Sequence, residues 1–345
     1  MKLSDFRYTL PKTAIAKYPV KPRDEARLMV FEKNSNDVEH KKFKDVVDYM
    51  SKGDVLVVNQ TKVMQARLFG QKERTNAKIE VFVLRELNPE EKIWDVIVDP
   101  ARKVRIGNRI YFNDDLWCEV IDNTTSRGRT VRINYSGDNI YKAIEEIGNT
   151  PLPPYIKRNA EKSDREDYQT VFAEVDGSVA APTAGLHFTD SLIKKIKKKG
   201  IKIVPVILHI GLGTFRPVEV EDLTKHKMDS EFFEISDKTA KVVNTALENK
   251  KNIFVVGTST TRALESSVTA EGFVKPNFGW TDKFIFPQYE FKITKKLITN
   301  FHQPESTLLM LTAAFGGYDT VTRNYKKALK EKYRFLSYGD GMLIL

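Results

Sequence analysis

Four of the five histidines in this 345-residue chain, His187, His209, His226 and His302, stand in or beside turns that carry glycine or proline. Loops on a rigid scaffold carry function more often than core elements do, and imidazole is the side chain best suited to moving protons near neutral pH. His40, flanked by Lys41 and Lys42, reads as solvent-exposed. Two polar turns add ligand-holding groups. Gly211-Leu212-Gly213-Thr214-Phe215 lets backbone N–H groups approach a ligand closely, although the same glycines would serve a tight turn needing positive φ. It is not a dinucleotide fingerprint, because the third glycine and an immediately following helix are missing. Gly257-Thr258-Ser259-Thr260-Thr261-Arg262 offers hydroxyls, amides and a guanidinium suited to a carboxylate or phosphate, and helix capping by Thr260 or Thr261 explains part of it equally well. Cys118, the single cysteine, lies in an alternating strand without an evident His partner and reads as packing. No Cys/His cluster has zinc spacing, so no metal is expected.

The elements that must position these residues are legible from the apolar runs. Residues 55–58, 203–208, 253–256 and 297–299 are apolar without strand-type alternation, which suits strands buried on both faces under helices. Each leads into a polar turn, and in a layered α/β core the loops after the strands gather at one edge of the sheet. The turns beginning at Asn59, His209, Gly257 and Asn300 are therefore expected to converge on one site. Between 63 and about 136 the texture changes to short alternating strands with turn signals, at 66–71, 78–84, 94–98, 109–112, 118–121 and 130–135, which reads as a small antiparallel barrel. A helix over 139–147 leads to Pro151-Leu152-Pro153-Pro154, a stiff boundary, after which helices at 190–199, 237–249, 305–315 and 319–333 resume the α/β pattern. The expected architecture is a discontinuous α/β domain, residues 1–62 and 151–345, interrupted by a β-barrel domain at 63–150.

Composition bounds the class. The 41% hydrophobic and 30% charged fractions are those of an ordinary soluble protein, and no run approaches the ~20 apolar residues that span a bilayer. The N-terminus lacks the apolar core of a secretion signal, and a lone cysteine suits a reducing cytoplasm. A net charge of +10 favours a polyanionic partner such as RNA, although lysine-rich solvated faces give the same balance. Tyr155-Ile156-Lys157-Arg158, and Arg165 with Tyr168, alternate aromatics with guanidiniums near the domain boundary and are the candidate RNA contacts.

Together these segments resemble one family along essentially the whole chain, the S-adenosylmethionine:tRNA ribosyltransferase-isomerases of queuosine biosynthesis. The most specific stretches are Ala180-Ala181-Pro182-Thr183-Ala184-Gly185-Leu186-His187-Phe188, His209-Ile210-Gly211-Leu212-Gly213-Thr214-Phe215-Arg216-Pro217-Val218 and Asn300-Phe301-His302-Gln303-Pro304-Glu305-Ser306-Thr307-Leu308. The resemblance implies a barrel-like α/β domain interrupted by a smaller β-barrel. It also implies transfer and isomerisation of the ribosyl moiety of S-adenosylmethionine onto 7-aminomethyl-7-deazaguanine at the tRNA wobble position, giving epoxyqueuosine, adenine and methionine. S-adenosylmethionine is then a substrate, with no tightly bound cofactor, and the enzyme is expected to be cytoplasmic, monomeric and independent of membranes. Under this resemblance His187, His209 and His302 are the acid/base candidates. Thr183, Gly185, Gly211, Gly213 and Thr214 would line the donor pocket, Thr258 and Arg262 would hold the methionine carboxylate, and Tyr155, Arg158, Arg165 and Tyr168 would meet the anticodon arm.

Four positions depart from the family pattern. Lys62 and Gln65 stand in Asn59-Gln60-Thr61-Lys62-Val63-Met64-Gln65-Ala66-Arg67 where Arg and Pro are usual, and lysine loses the bidentate fork. Asp229 stands where His is common, and Gln288 where Gly is usual, a change expected to alter a turn more than the chemistry. Two competing readings are a non-catalytic tRNA-binding protein, which leaves the His, Gly and Thr turns unmotivated, and an S-adenosylmethionine-dependent RNA methyltransferase, against which the first α/β strand ends in Asn59-Gln60-Thr61 rather than a glycine-rich loop.

Overall fold

The computed structural model describes the whole chain except Asp138, Arg216 and Pro217 and the side chains of Thr214 and Phe215. Strands Lys202–Leu208, Val55–Asn59, Ile253–Val256 and Lys296–Asn300 lie side by side and pair in parallel. Val55 and Val57 point into one apolar layer with Val204, Val206, Ala240, Val243 and Leu264. Leu56 and Val58 point into the other, with Phe43, Phe188, Leu192, Ile196 and Phe254. Both faces of this strand are thus covered, which explains why its sequence is a continuous apolar run rather than an alternation.

Flanking strands invisible to that reasoning extend the sheet to nine. On one side Glu231–Ile235 and then Asn277–Thr281 add antiparallel; on the other come Gly341–Ile344, Arg27–Phe31 and Glu39–Lys42. The main domain therefore takes the form of an open mixed sheet. Helices Thr307–Gly316 and Tyr318–Lys330 cover its far half, burying Met310, Phe315, Val321 and Tyr325 against Met29, Phe31, Met342 and Ile344. Caps match the sequence at several helix starts: the side chains of Asn139, Thr189 and Ser236 accept backbone N–H bonds. The segment after residue 42 is a 3-10 helix, Phe43–Tyr49.

Six strands, Arg67–Lys72, Lys78–Asn88, Ile93–Asp99, Arg109–Tyr111, Leu116–Asn123 and Gly128–Tyr135, close into an antiparallel barrel. Its interior is filled by Leu68, Val81, Trp94, Val96, Val98, Ile110, Cys118, Val131 and Ile133. Cys118 is fully buried there, and burial pushes its thiol up to about 12, as expected of a packing residue. The barrel leaves and rejoins the main domain at one place, where Arg67 bridges Asn149 and strand Thr61–Val63 pairs in parallel with Val175–Ser178.

Two substitutions test this geometry. A Cβ at Gly148 would overlap the Gln65 carbonyl oxygen, so Gly148→Ala is expected to lower stability by about 1–3 kcal/mol in urea unfolding. Gln288 follows Pro287 with φ +88°, and Tyr289 N–H donates to the Phe286 carbonyl at 3.1 Å, the pattern of a type II turn in which glycine is favoured. Removing that strain outweighs the added chain entropy of glycine, so Gln288→Gly is expected to raise stability by up to about 1 kcal/mol, read as a higher urea midpoint.

Candidate active site

Parallel pairing puts the ends of four strands, and the turns that follow them, on one edge of the sheet. The Asn59 amide knits them together. Its Nδ2 donates to the Leu208 carbonyl at 2.9 Å and to Ser259 Oγ at 3.2 Å, and its Oδ1 accepts from the N–H groups of Thr61 and Leu208 at 3.1 and 3.2 Å. Asn300 does the same two strands further on: Nδ2 donates to the Leu336 carbonyl at 3.1 Å and meets His187 Nε2 at 3.3 Å, while Oδ1 accepts from Thr183 Oγ1 at 3.5 Å.

Above these ends lies a pocket lined by residues of the 180–184 loop, Thr258, Ser259, Arg262, Asn300 and His302. Helix Thr258–Ser266 points its N-terminus into it. Gly257, at φ +88°, offers no capping side chain, so the first-turn N–H groups and dipole are directed at the pocket, an arrangement suited to an anionic group. Arg262, four residues into the helix, is buried and ion-paired with Glu231; its Nε also donates to the Lys283 carbonyl at 3.0 Å. Glu231 Oε1 in turn accepts from Gly211 N–H at 2.8 Å, which fixes the start of the glycine-bearing turn.

Ile210 and Glu231 line both this pocket and an adjoining cleft of about 720 Å³ between the sheet and the barrel. His209, Gly211, Gly213, Asp229 and Trp280 line one wall, and Arg85, Trp94, Asp95 and Tyr141 from the barrel side line the other. His209 is held by Thr61 Oγ1 at 2.7 Å from Nδ1 and stacks on Phe232. Burial pushes its pKa down to about 4, partly offset by Asp176, so the ring is neutral at pH 7. Gly177, at φ +138°, permits the approach: a Cβ there would stand 2.8 Å from the imidazole.

The three candidate imidazoles occupy three neighbouring positions. His209 faces the cleft. His302 lines the strand-end pocket, with Nε2 2.9 Å from Thr299 Oγ1, and its backbone is gripped by Tyr8 and Tyr325. His187 lies behind Asn300, stacked on Phe43 at 4.6 Å, and reaches the pocket only through that amide. Burial lowers His187 and His302 to about 3, with Arg334 and Arg23 adding to the effect at His187. His226 stands apart, edge-on to Phe284.

Of the donor-pocket candidates, Thr183 and Thr258 line the pocket, Gly211 and Gly213 the cleft, and Gly185 packs behind them against Thr170. Neither Gly211 nor Gly213 has positive φ; Gly213 is small because the Asp229 side chain packs on it. Thr214, and Arg216 and Pro217 of the same motif, lie outside the described residues in the sense given above. Among the RNA candidates, Arg165 is exposed and donates to the Gly148 carbonyl. Arg158 clamps Asp164 with two bonds of 2.6 and 2.7 Å, Tyr155 bonds Ser337, and Tyr168 is only 1% exposed, edge-on to Tyr338. Tyr168 thus presents no ring to a nucleic acid in this conformation. Lys62 pairs with Asp176 at 3.0 Å on the strand beside His209. Glu231, Asp95 and Trp280 escaped sequence reasoning; the β-favouring Phe232, Phe233 and Ile235 were the available signal for the strand that carries the first of them.

Comparison with known proteins bears on this arrangement. The family model described as queuosine biosynthesis protein matches residues 3–344. Proteins named S-adenosylmethionine:tRNA ribosyltransferase-isomerase from Chloroherpeton thalassium and Cytophaga hutchinsonii are each 58% identical, with full coverage of both chains. The crystal structure of S-adenosylmethionine tRNA ribosyltransferase from Thermotoga maritima aligns over 99% of this chain and 100% of its own, at 34% identity and a TM-score of 0.57. By sequence, by length and by fold, this chain belongs to the S-adenosylmethionine:tRNA ribosyltransferase-isomerase family of queuosine biosynthesis.

Proposed function

We propose that the enzyme transfers the ribosyl moiety of S-adenosylmethionine to 7-aminomethyl-7-deazaguanine in the wobble position of tRNA and isomerises it to the epoxycyclopentane of epoxyqueuosine, releasing adenine and methionine. The observation that carries this reading is the adjacency of the strand-end pocket and the interdomain cleft, which share Ile210 and Glu231 in their walls: an anion-binding hollow beside an aromatic one suits a donor with a carboxylate tail and an acceptor that is a nucleobase. Thr258 and the helix N-terminus would take the methionine carboxylate. Glu231 holds the turn at Gly211 and neutralises Arg262, which would add its remaining N–H capacity, with Thr183, Gly185 and Gly213 shaping the walls.

The sulfonium acidifies the adjoining ribose methylene, so the first step asks for a base but not a strong one. His209, neutral and fixed by Thr61, would accept that proton at Nε2. His302 would meet the departing adenine, and His187 would act through Asn300 as a positioning residue. The acceptor amine attacks directly, so no covalent protein intermediate is needed. Arg165, Arg158 and Tyr155 would lie along the path of the anticodon arm, and the enzyme would act as a cytoplasmic monomer. Among the described residues no helix is long and apolar enough to cross a membrane and no group of side chains has the makings of a metal site.

Incubation with S-adenosylmethionine and precursor-bearing tRNA is expected to release adenine and methionine with no S-adenosylhomocysteine; S-adenosylhomocysteine alone would indicate a methyltransferase, and neither product a binding protein. His209→Ala is expected to lower adenine release by about 100-fold or more, and a near-normal rate would remove the imidazole from the chemistry. The depressed histidines also make stability depend on pH. Unfolded, they bind protons near 6.5; folded, His209 does so only near 4 and His187 and His302 near 3. Between those limits the unfolded chain holds more protons, so stability is full above 6.5 and falls as pH drops toward 4. Thermal melts are expected to show this decline, and His302→Asn, with one such group fewer, a shallower one.

A further inference from the structure

We propose that Trp280, with Phe278 beside it and Arg85 across from it, is a stacking platform for an unpaired tRNA nucleotide next to the reacting base. The inference rests on the reading of the chain as a tRNA-modifying enzyme. A line of rings runs outward from the candidate base: His209 stacks on Phe232 with ring centroids 5.7 Å apart and 22° between planes, and Phe232 meets Trp280 edge-on at 5.9 Å. Trp280 and Phe278 lie two residues apart on strand Asn277–Thr281, hence on the same face, and Phe232, opposite Trp280 in the antiparallel register, shares that face.

These rings are exposed to an extent that folding does not explain. Phe278 is 75% and Trp280 55% exposed, on the edge strand of the sheet. Burial of aromatic surface is a principal driving force of folding, so two large rings left in water beside a cleft mark a surface for something else. The barrel supplies the second side: Arg85 lies 5.4 Å from the Trp280 ring and is held by Asp95 at 3.6 Å. A ring and a guanidinium facing each other across a cleft are the parts from which sequence-tolerant base stacking is built.

Charge selects which part of the RNA turns inward. Glu86, Asp95, Asp176 and Asp229 line the cleft, so phosphates are repelled from its interior while the donor edge of a guanine-like base and its ammonium are welcome. The reacting nucleotide would pass inward along the ring line toward His209, and a neighbour would stay on Trp280. This explains how a +10 protein can have an acidic entrance: the backbone runs over the basic exterior and only bases turn in.

The test uses the full-length enzyme, unmodified and precursor-bearing tRNA, and the variants Trp280→Ala, Trp280→Phe and Phe278→Ala. Trp280→Ala is expected to raise the KM for tRNA about 10-fold without moving the KM for S-adenosylmethionine, and Trp280→Phe to restore most of the loss. Tryptophan fluorescence gives a readout that a structural role would not move: only Trp280 of the three tryptophans is exposed on this face, so tRNA should quench the wild type and quench Trp280→Phe much less. Unchanged tRNA binding in Trp280→Ala, or quenching in Trp280→Phe equal to that of the wild type, would overturn the platform. So would a change in sedimentation of Trp280→Ala with unchanged tRNA binding, which would make this edge a contact between copies of the chain. If the wild type itself released no adenine while still showing Trp280-dependent quenching, the catalytic reading would fail and the platform would stand.

Discussion

Where four parallel strands stop, their last backbone groups must find partners out of reach of bulk water, and the Asn59 and Asn300 amides provide them. Buried polar groups left unpaired cost about 1–3 kcal/mol each, so these amides are fixed by the sheet before any ligand arrives. Their geometry sets everything that follows. Asn59 holds the Leu208 end and the Ser259 turn in register, so His209 and the helix N-terminus at Thr258 lie side by side; Asn300 places His187 and Thr183 against each other. The site is therefore a property of strand termination in a parallel sheet, and the side chains proposed for chemistry are passengers on it.

The Arg262–Glu231 pair adds a second constraint. Two charges removed from water are stable only when their remaining donors and acceptors are filled, and here the Lys283 carbonyl and the Gly211 N–H fill them. A cation is thus kept close to the proposed carboxylate site without carrying excess charge. The pair also joins the antiparallel edge of the sheet, which bears the exposed rings, to the helix whose N-terminus faces the pocket.

Much of this was legible in the amino-acid order. The four core strands announced themselves as apolar runs, and all six barrel strands by alternation, because both patterns are direct records of how many faces are buried. The flanking strands were not read: Glu39–Lys42 is wholly exposed and charged, and Asn277–Thr281 carries a glycine and outward aromatics, so neither records a buried face, whereas residues 28–31 of Arg27–Phe31 are an apolar run buried on both faces and carry the same signal as the core strands. The turn histidines drew attention through residue type and position, yet sequence could not tell His187, packed on Phe43, from His209, open to the cleft. Tyr168 looked like a nucleic-acid contact by composition, whereas its burial edge-on to Tyr338 is visible only in three dimensions.

Val55 pairs with Lys202 although the whole barrel lies between them in the chain. Bringing distant residues together carries a loop-closure entropy that grows with the free length between them. The barrel strands, by contrast, pair largely with close neighbours in the chain, and the Arg67–Asn149 bridge draws their two ends together. Once that small module has condensed, the tether separating the first central strand from its partner is effectively shortened to the segments outside it. An insertion that looks like an interruption on paper thus acts during folding as a clasp, lowering the topological handicap of a sheet whose neighbours are otherwise remote.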